Sequence, residues 1–279
     1  MADKPRVFST FEHWTTAFCQ QTGSFGHLNA LFDFSHWPQW PGVDKFNQLL
    51  PDGVTTTSGF PVTFRPQDDS FDFAGRYYEQ VIYESGEVPT RLNGWHDLFG
   101  ALIWCLLPRT KALLNQLHFQ DIEAHGQKKR TAKRNAITLL DECGVILATS
   151  NPEFSRQLRD HQWHWGFVDQ RHQWGKTVAP FIIGHANYEM LTKPYIGLTG
   201  KALFISVEVD FFTMTLTEQY LILDAKLFAL ISEADILKNN QQLSPLPLLG
   251  VPGWYEANED AAFYDNIEYF RPKRVRNPS

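Results

Sequence analysis

The stretch NGWHDLFGALIWCLLPRTKALLNQLH, residues 93–118, carries the strongest fold signal in the chain. Trp95, Leu98, Phe99, Leu102, Ile103 and Leu106 recur three and four apart, the spacing of one helix face, while Trp104 and Cys105 extend apolar character around the flanks. A helix apolar on nearly all sides belongs in the middle of a core. Asn93 is placed to cap it. Pro108 either ends this helix or opens a second one to about His118, because proline is accepted in a first turn and not in an interior. The two helices are expected to form one bent unit.

Outward from this unit, Tyr77, Tyr78, Val81 and Ile82 predict a short helix over 74–84, stopped by Gly86. The segment from Gly23 to Asp72 is dense in Pro, Gly and aromatic residues and reads as irregular chain pinned by ring packing. On the C-terminal side, AITLLDECGVILATS (136–150) reads as a β-hairpin, two strands around Asp141-Glu142-Cys143-Gly144 with Gly144 able to take positive φ. Asn151-Pro152 starts a helix to about Asp160. Val178–Ile183 reads as a strand, His185–Leu191 as a helix, Ala202–Val209 as a strand and Thr217–Ser232 as a helix. The tail segment PLPLLGVPGW, from Pro245, is expected to be an extended strap, with Leu246, Leu248, Leu249, Val251 and Trp254 offering apolar surface. The expected class is α+β (mixed α/β). It is a single domain over 1–279, with central buried helices, a β-hairpin, a small mixed sheet, an irregular N-terminal region and an extended C-terminal strap.

Composition narrows the function classes. A 43% apolar, 20% charged chain is globular in character, and a net charge of −6 means that phosphate binding would need a local basic patch. Lys128, Lys129, Arg130, Lys133 and Arg134 form one such run, and Arg271, Lys273, Arg274 and Arg276 another. Neither carries the interleaved aromatics of single-strand recognition. Three cysteines without CxxC spacing suit a reducing compartment, and no apolar run of signal-peptide length follows the N-terminal MADKPRVF. The longest apolar stretch, Leu98 to Leu107, is too short to span a membrane, so a cytoplasmic location and no membrane partner are expected. The GxGxxG, Walker A, GxSxG, HExxH and EF-hand patterns are absent.

The chain resembles the bacterial family catalogued as domain of unknown function 3025. The resemblance rests on VPTRLNGWHDLFGALIW from Val88, PRTKALLNQLH from Pro108, NAITLLDECG from Asn135 and PLPLLGVPGW from Pro245, with Gly100 standing where that motif would carry Asn. It implies no activity and supplies no catalytic residues.

Chemistry must therefore be read from the side chains. His96 and Asp97 open the buried helix, where free N–H groups favour anions, and Arg91 precedes them either as a bidentate clamp for carboxylate or phosphate or as the partner of an acidic side chain in the loop. Lys111, Asn115 and His118 share one face of the following helix, which is either a solvated stripe or an anion-binding, proton-shuttling one. His185 and Glu189 are one turn apart after a strand, suited to a general base with its orienting group or to two metal ligands if His96 or His118 approaches. His161, His164 and His172 form a weaker metal pattern among tryptophans, and Asp141 with Glu142 reads as a solvent-exposed turn. The expected function is a small-molecule hydrolase using His acid/base chemistry, with a divalent metal as the candidate cofactor. His96, Asp97, His118, His185 and Glu189 are the catalytic candidates, and Arg91, Lys111 and Asn115 the substrate-binding ones. The rival readings are a noncatalytic anion- or nucleic-acid-binding protein and a scaffold. Oligomeric state is left open.

Overall fold

The computed structural model describes residues 13–20 and 23–273. In chain order the helices are α1 (Gly26–Phe32), α2 (Val43–Leu49), α3 (Tyr78–Ser85), α4 (Trp95–Leu106), α5 (Pro108–His125), α6 (Ala132–Cys143), α7 (Pro152–Arg159), α8 (His185–Leu191) and α9 (Leu216–Ser232). The strands are β1 (Thr63–Pro66), β2 (Glu87–Thr90), β3 (Gly144–Thr149), β4 (Val178–Ile182), β5 (Thr199–Ser206) and β6 (Ser244–Pro247). The fold is α+β. β1 and β2 form a small parallel pair, and a four-stranded mixed sheet runs β4-β3-β5-β6, with β3 parallel to β5 and antiparallel to β4.

Sequence explains the order of the sheet. Every residue of β3, GVILAT, is buried, as expected for a central strand with no polar face to show. Pro180, Pro245 and Pro247 fall on β4 and β6, the two edges, where a missing N–H costs no ladder bond. The proline-rich tail is thus an ordered strap, and β6 is the strand it adds. Its continuation is held by buried polar groups: Tyr269 Oη donates to the Leu198 carbonyl (2.6 Å) and accepts from the Leu249 N–H (2.9 Å). Asn258 donates to the Leu249 and Val251 carbonyls, both at 2.8 Å.

The central helix is as the apolar spacing predicts. Eight residues of α4 are buried, and Trp95 and Phe99 anchor an aromatic cluster with Trp14, Phe18, Trp40 and Tyr188. The N-terminal segment is accordingly pinned by rings, although it contains α1, α2 and β1 rather than being wholly irregular. α5 starts at Pro108 directly after α4 and runs past His118 to His125. Its first N–H groups are capped from a distance, since the buried Asp224 carboxylate on α9 accepts from Arg109 N (3.0 Å) and Thr110 N (2.8 Å).

Two local expectations are corrected. The segment 136–143 is not the first strand of a hairpin; it is the body of α6. Thr131 caps that helix by accepting from Arg134 N, and Ala136, Ile137 and Leu140 bury one helical face, a periodicity that overrides the turn-like DECG sequence. Gly144 sits at φ −68°, so its role is steric: a Cβ would stand 2.3 Å from the Leu140 carbonyl oxygen. Asn93 is not the cap of α4 either. It takes a left-handed φ of 60°, and Gly94 occupies the cap position.

The end of α6 and the start of α8 meet through backbone. A Cβ on Gly184 would lie 2.4 Å from Gly144 N and 2.5 Å from the Glu142 carbonyl oxygen, and Gly184 N donates to the Gly144 carbonyl at 2.9 Å. Gly184→Ala is therefore expected to destabilise the protein by about 1–3 kcal/mol by forcing these elements apart. Urea unfolding of the variant against wild type measures this, and an unchanged midpoint would contradict the contact.

Candidate functional site

α3, β2, α4, α5, the last turn of α6 and the first residue of α8 enclose a cavity of about 380 Å³. Its wall contains His96, His118 and His185 together with Arg91, Asp97, Lys111, Asn115, Asp141 and Glu142. Glu189 stands behind this wall, one turn along α8 from His185.

The most concentrated chemistry lies where α4, α6 and α8 converge. His96 Nδ1 is 2.9 Å from Glu189 Oε2, and its Nε2 is 3.0 Å from His185 Nε2. The two rings are edge-on, with centroids 4.3 Å apart. Glu142 Oε2 is 3.7 Å from His185 Nε2. Glu189 thus accepts the Nδ1 proton of His96 and orients the ring. His185 Nδ1 is buried without a hydrogen-bond partner, so the productive nitrogen of that ring is Nε2.

Environment separates the two imidazoles. Burial disfavours charge on His96, but the hydrogen bond to Glu189 and the charges of Glu142, Glu189 and Asp97 outweigh it and raise its pKa. For His185, burial dominates against the pull of Asp141 and lowers the pKa to about 3. His96 Nε2–H is then the donor in the histidine pair and His185 Nε2 the acceptor. Glu142 is raised by burial and by the nearby Asp141 charge, against the pull of His96 and Lys111.

The cations predicted to hold substrate are already engaged. Arg91 makes a two-pronged contact with Asp97, Nε to Oδ2 at 3.1 Å and Nη2 to Oδ1 at 2.7 Å. Lys111 Nζ bonds Asp141 Oδ1, and Asn115 Nδ2 donates to the carbonyl (2.9 Å) and carboxylate (2.7 Å) of Glu79. Lys111, Asn115 and His118 are all buried, so their shared face is the cavity wall and not a solvated stripe.

Three further residues belong to the site. Asp141 and Glu142, read from sequence as an exposed turn, are in the last turn of α6 and face the cavity. Tyr78, read only as part of an apolar stripe, lines the cavity although 42% of its surface is exposed. Burial, then Glu79, Asp97 and Asp141, raise its phenol well above the usual range. The HxxxE spacing of His185 and Glu189 was a usable signal for the cluster; nothing in the sequence singled out Tyr78.

The family can now be stated. A family model described as "Protein of unknown function (DUF3025)" matches residues 62–274, well over half of the chain. The chain belongs to this family. Every cavity-lining residue falls within the matched span, as do α3 to α9. No curated protein and no solved structure matches the chain. Gly100, where the family-like motif would carry Asn, lines the cavity beside the His185 ring, and a Cβ there would meet that ring at 4.0 Å.

The other sequence candidates do not assemble. His161 Nδ1 donates to the Arg271 carbonyl (3.0 Å), His164 contacts Asp169 (3.4 Å), and His172 is exposed. In the first basic run Arg134 ties down the Gln127 carbonyl (2.9 Å) and Lys133 pairs with Asp235 (3.1 Å). In the second, Lys273 pairs with Asp160 (2.7 Å), while Arg274 and Arg276 lie outside the described residues. No described helix is long and apolar enough to cross a membrane.

The Lys111–Asp141 pair is a test of these electrostatics. Burial works against ionisation of Asp141, but Lys111 overcomes it and brings the pKa from 3.8 down to about 2. A carboxylate depressed in the folded state contributes stability above its ordinary pKa, and that contribution is lost as the pH falls from about 4 to about 2. Lys111→Met, which leaves Asp141 buried and unpaired, is expected to cost about 3–5 kcal/mol at neutral pH. Lys111→Met/Asp141→Leu should recover most of that loss. Urea titrations at several pH values check both, and a single variant as stable as wild type would contradict the pairing.

Proposed function

We propose that this protein is a small-molecule hydrolase whose reaction centre is the His96–His185–Glu142 cluster. The supporting observation is the meeting of two imidazoles and a carboxylate from three separate helices, His96 Nε2 being 3.0 Å from His185 Nε2, on the wall of a cavity of about 380 Å³. That volume suits a metabolite-sized substrate rather than a polymer. No serine or cysteine is among the described lining residues and the Thr90 hydroxyl is committed to the Val88 carbonyl (2.9 Å), so the attacking group in this reading is water.

In this mechanism Glu142, whose environment makes it more basic than an ordinary carboxylate, removes a proton from water as the water oxygen bonds to the scissile atom. His96, whose affinity for a proton is raised by Glu189, returns a proton to the departing group as the old bond breaks. Glu189 is a positioning residue. The Tyr78 hydroxyl and His118 supply further polar contacts for substrate. Asp97 acts through Arg91, and Lys111 through Asp141, to hold the wall in place. Three cysteines without CxxC spacing support a reducing, cytoplasmic setting in a bacterial cell.

His96→Ala and Glu142→Gln are each expected to lower the hydrolysis rate by about 10²–10⁴-fold while leaving the circular dichroism spectrum unchanged. The assay is a panel of chromogenic esters, amides and phosphoesters. A substrate hydrolysed equally well by wild type and both variants would remove the cluster from the mechanism.

A further inference from the structure

Resting on the reading of this cluster as the reaction centre, we infer that it binds one divalent transition-metal ion of the zinc class. The ligands are His96 Nε2, His185 Nε2 and a Glu142 carboxylate oxygen, and Glu189 is the outer partner of His96. The three ligand atoms lie within 4.8 Å of one another.

Geometry is the first reason. Two imidazole nitrogens bound at 2.0–2.1 Å to one tetrahedral ion stand about 3.3 Å apart. The two Nε2 atoms here are 3.0 Å apart, a few tenths of an ångström from that separation. A hydrogen bond alone accounts for two nitrogens at this distance, but it does not account for the Glu142 oxygen 3.7 Å from His185 Nε2. A common ligand accounts for all three.

Charge is the second reason. Arg91 is paired with Asp97 and Lys111 with Asp141, which leaves the carboxylates of Glu142 and Glu189 around the two imidazoles. A single proton on His96 compensates one of these negative charges. A divalent ion compensates both and displaces that proton. In the metal-loaded protein the water on the open position would then supply the nucleophile, and the acid and base roles of His96 and Glu142 belong to the metal-free protein.

Ring orientation is the third. Metal-bound histidines commonly pass their other N–H to a carboxylate, which fixes the tautomer and raises the basicity of the ligating nitrogen. Glu189 does this for His96 at 2.9 Å. His185 Nδ1 is buried with no partner, so the hydrogen is on that atom and the lone pair on Nε2 faces the site. Two nitrogens and a carboxylate favour zinc, iron or manganese over the all-oxygen shells of calcium and magnesium. Three protein ligands leave a position open for water, whose pKa a zinc-class ion lowers.

Isothermal titration of the full chain, produced without a His-tag and stripped with a chelator, tests this with ZnCl₂, MnCl₂ and MgCl₂ as the probes. The expected result is one zinc or manganese ion per chain, with no saturable magnesium binding. Glu189→Gln should weaken zinc about 10–100-fold at unchanged stoichiometry. His185→Asn and Glu142→Gln should each abolish tight binding. His185→Asn is checked for folding by thermal unfolding, and Glu142→Gln, being isosteric and half-exposed, carries the test if the first variant fails to fold. Absence of saturable zinc or manganese binding, or binding unaffected by Glu142→Gln, would overturn the metal. Hydrolysis at full rate by the stripped protein would also overturn it while leaving the hydrolase reading intact. Metal binding without hydrolysis of any panel substrate supports the site and counts against that reading alone.

Discussion

The backbone of Gly184 lies against the Glu142–Gly144 peptide with no room for a side chain on either strand of the contact. This approach sets the position of everything chemical in the molecule. Gly144 opens the central strand β3, and Gly184 follows the edge strand β4, so the β3–β4 ladder fixes the two glycines side by side at one end of the sheet. The last turn of α6 arrives there from one direction and α8 leaves in another. Glu142 and His185 are thus neighbours because two helices end and begin at adjacent strand ends. Ligand sites at strand-to-helix junctions have this origin in many α/β arrangements, and the same logic applies to a small mixed sheet. α4 completes the cluster by packing its first turn across α8, where Gly100 leaves space beside the His185 ring.

How much of this was legible in the sequence depended on whether the deciding force was local. α4 could be read because its apolar stripe is continuous and its ends are punctuated, and α7, α8 and α9 for similar reasons. The segment 136–149 could not be read reliably by periodicity. It runs from a helical apolar face into a fully buried strand with no polar break, and a short apolar run of that kind fits either structure. The acidic DECG sequence then resembled a turn. That one misreading sent Asp141 and Glu142 to solvent, although they line the cavity. The cap that would correct it, Thr131, sits inside the basic run 128–134 and is obscured by it.

The candidate site divides along the same line. His96, His118 and His185 stood at helix ends and turns, positions that suggest a cavity rim from sequence alone, and all three line one cavity. The roles of Arg91 and Lys111 were not legible, because their partners are set by tertiary packing. Asp141 lies thirty positions from Lys111 and was assigned to the wrong element. Tyr78 left no signal, since a tyrosine in an apolar helical stripe is ordinarily core.

Those pairings change what the cavity can recognise. A free arginine and a free lysine at the mouth of a pocket would attract an anionic substrate. Here each guanidinium or ammonium group is matched by a carboxylate in the same wall, Arg91 by Asp97 and Lys111 by Asp141. Pulling either cation toward a ligand would strand its partner, and for Asp141, whose side chain is 19% exposed, an uncompensated charge costs about 3–5 kcal/mol. An incoming anion would have to offset that loss as well as its own desolvation. The pairs therefore act as braces that hold Asp97 and Asp141 beside the histidines, and their fields add to the effect of burial on His96, His185 and Glu142. The rest of the wall is lined by Tyr78, His118 and Glu79, whose carboxylate also accepts from Asn115, and by the apolar side chains of Phe64, Ile82 and Trp104. Any ligand in such a cavity would meet hydrogen-bonding groups beside an apolar face, and an anion could claim neither Arg91 nor Lys111 without breaking a pair.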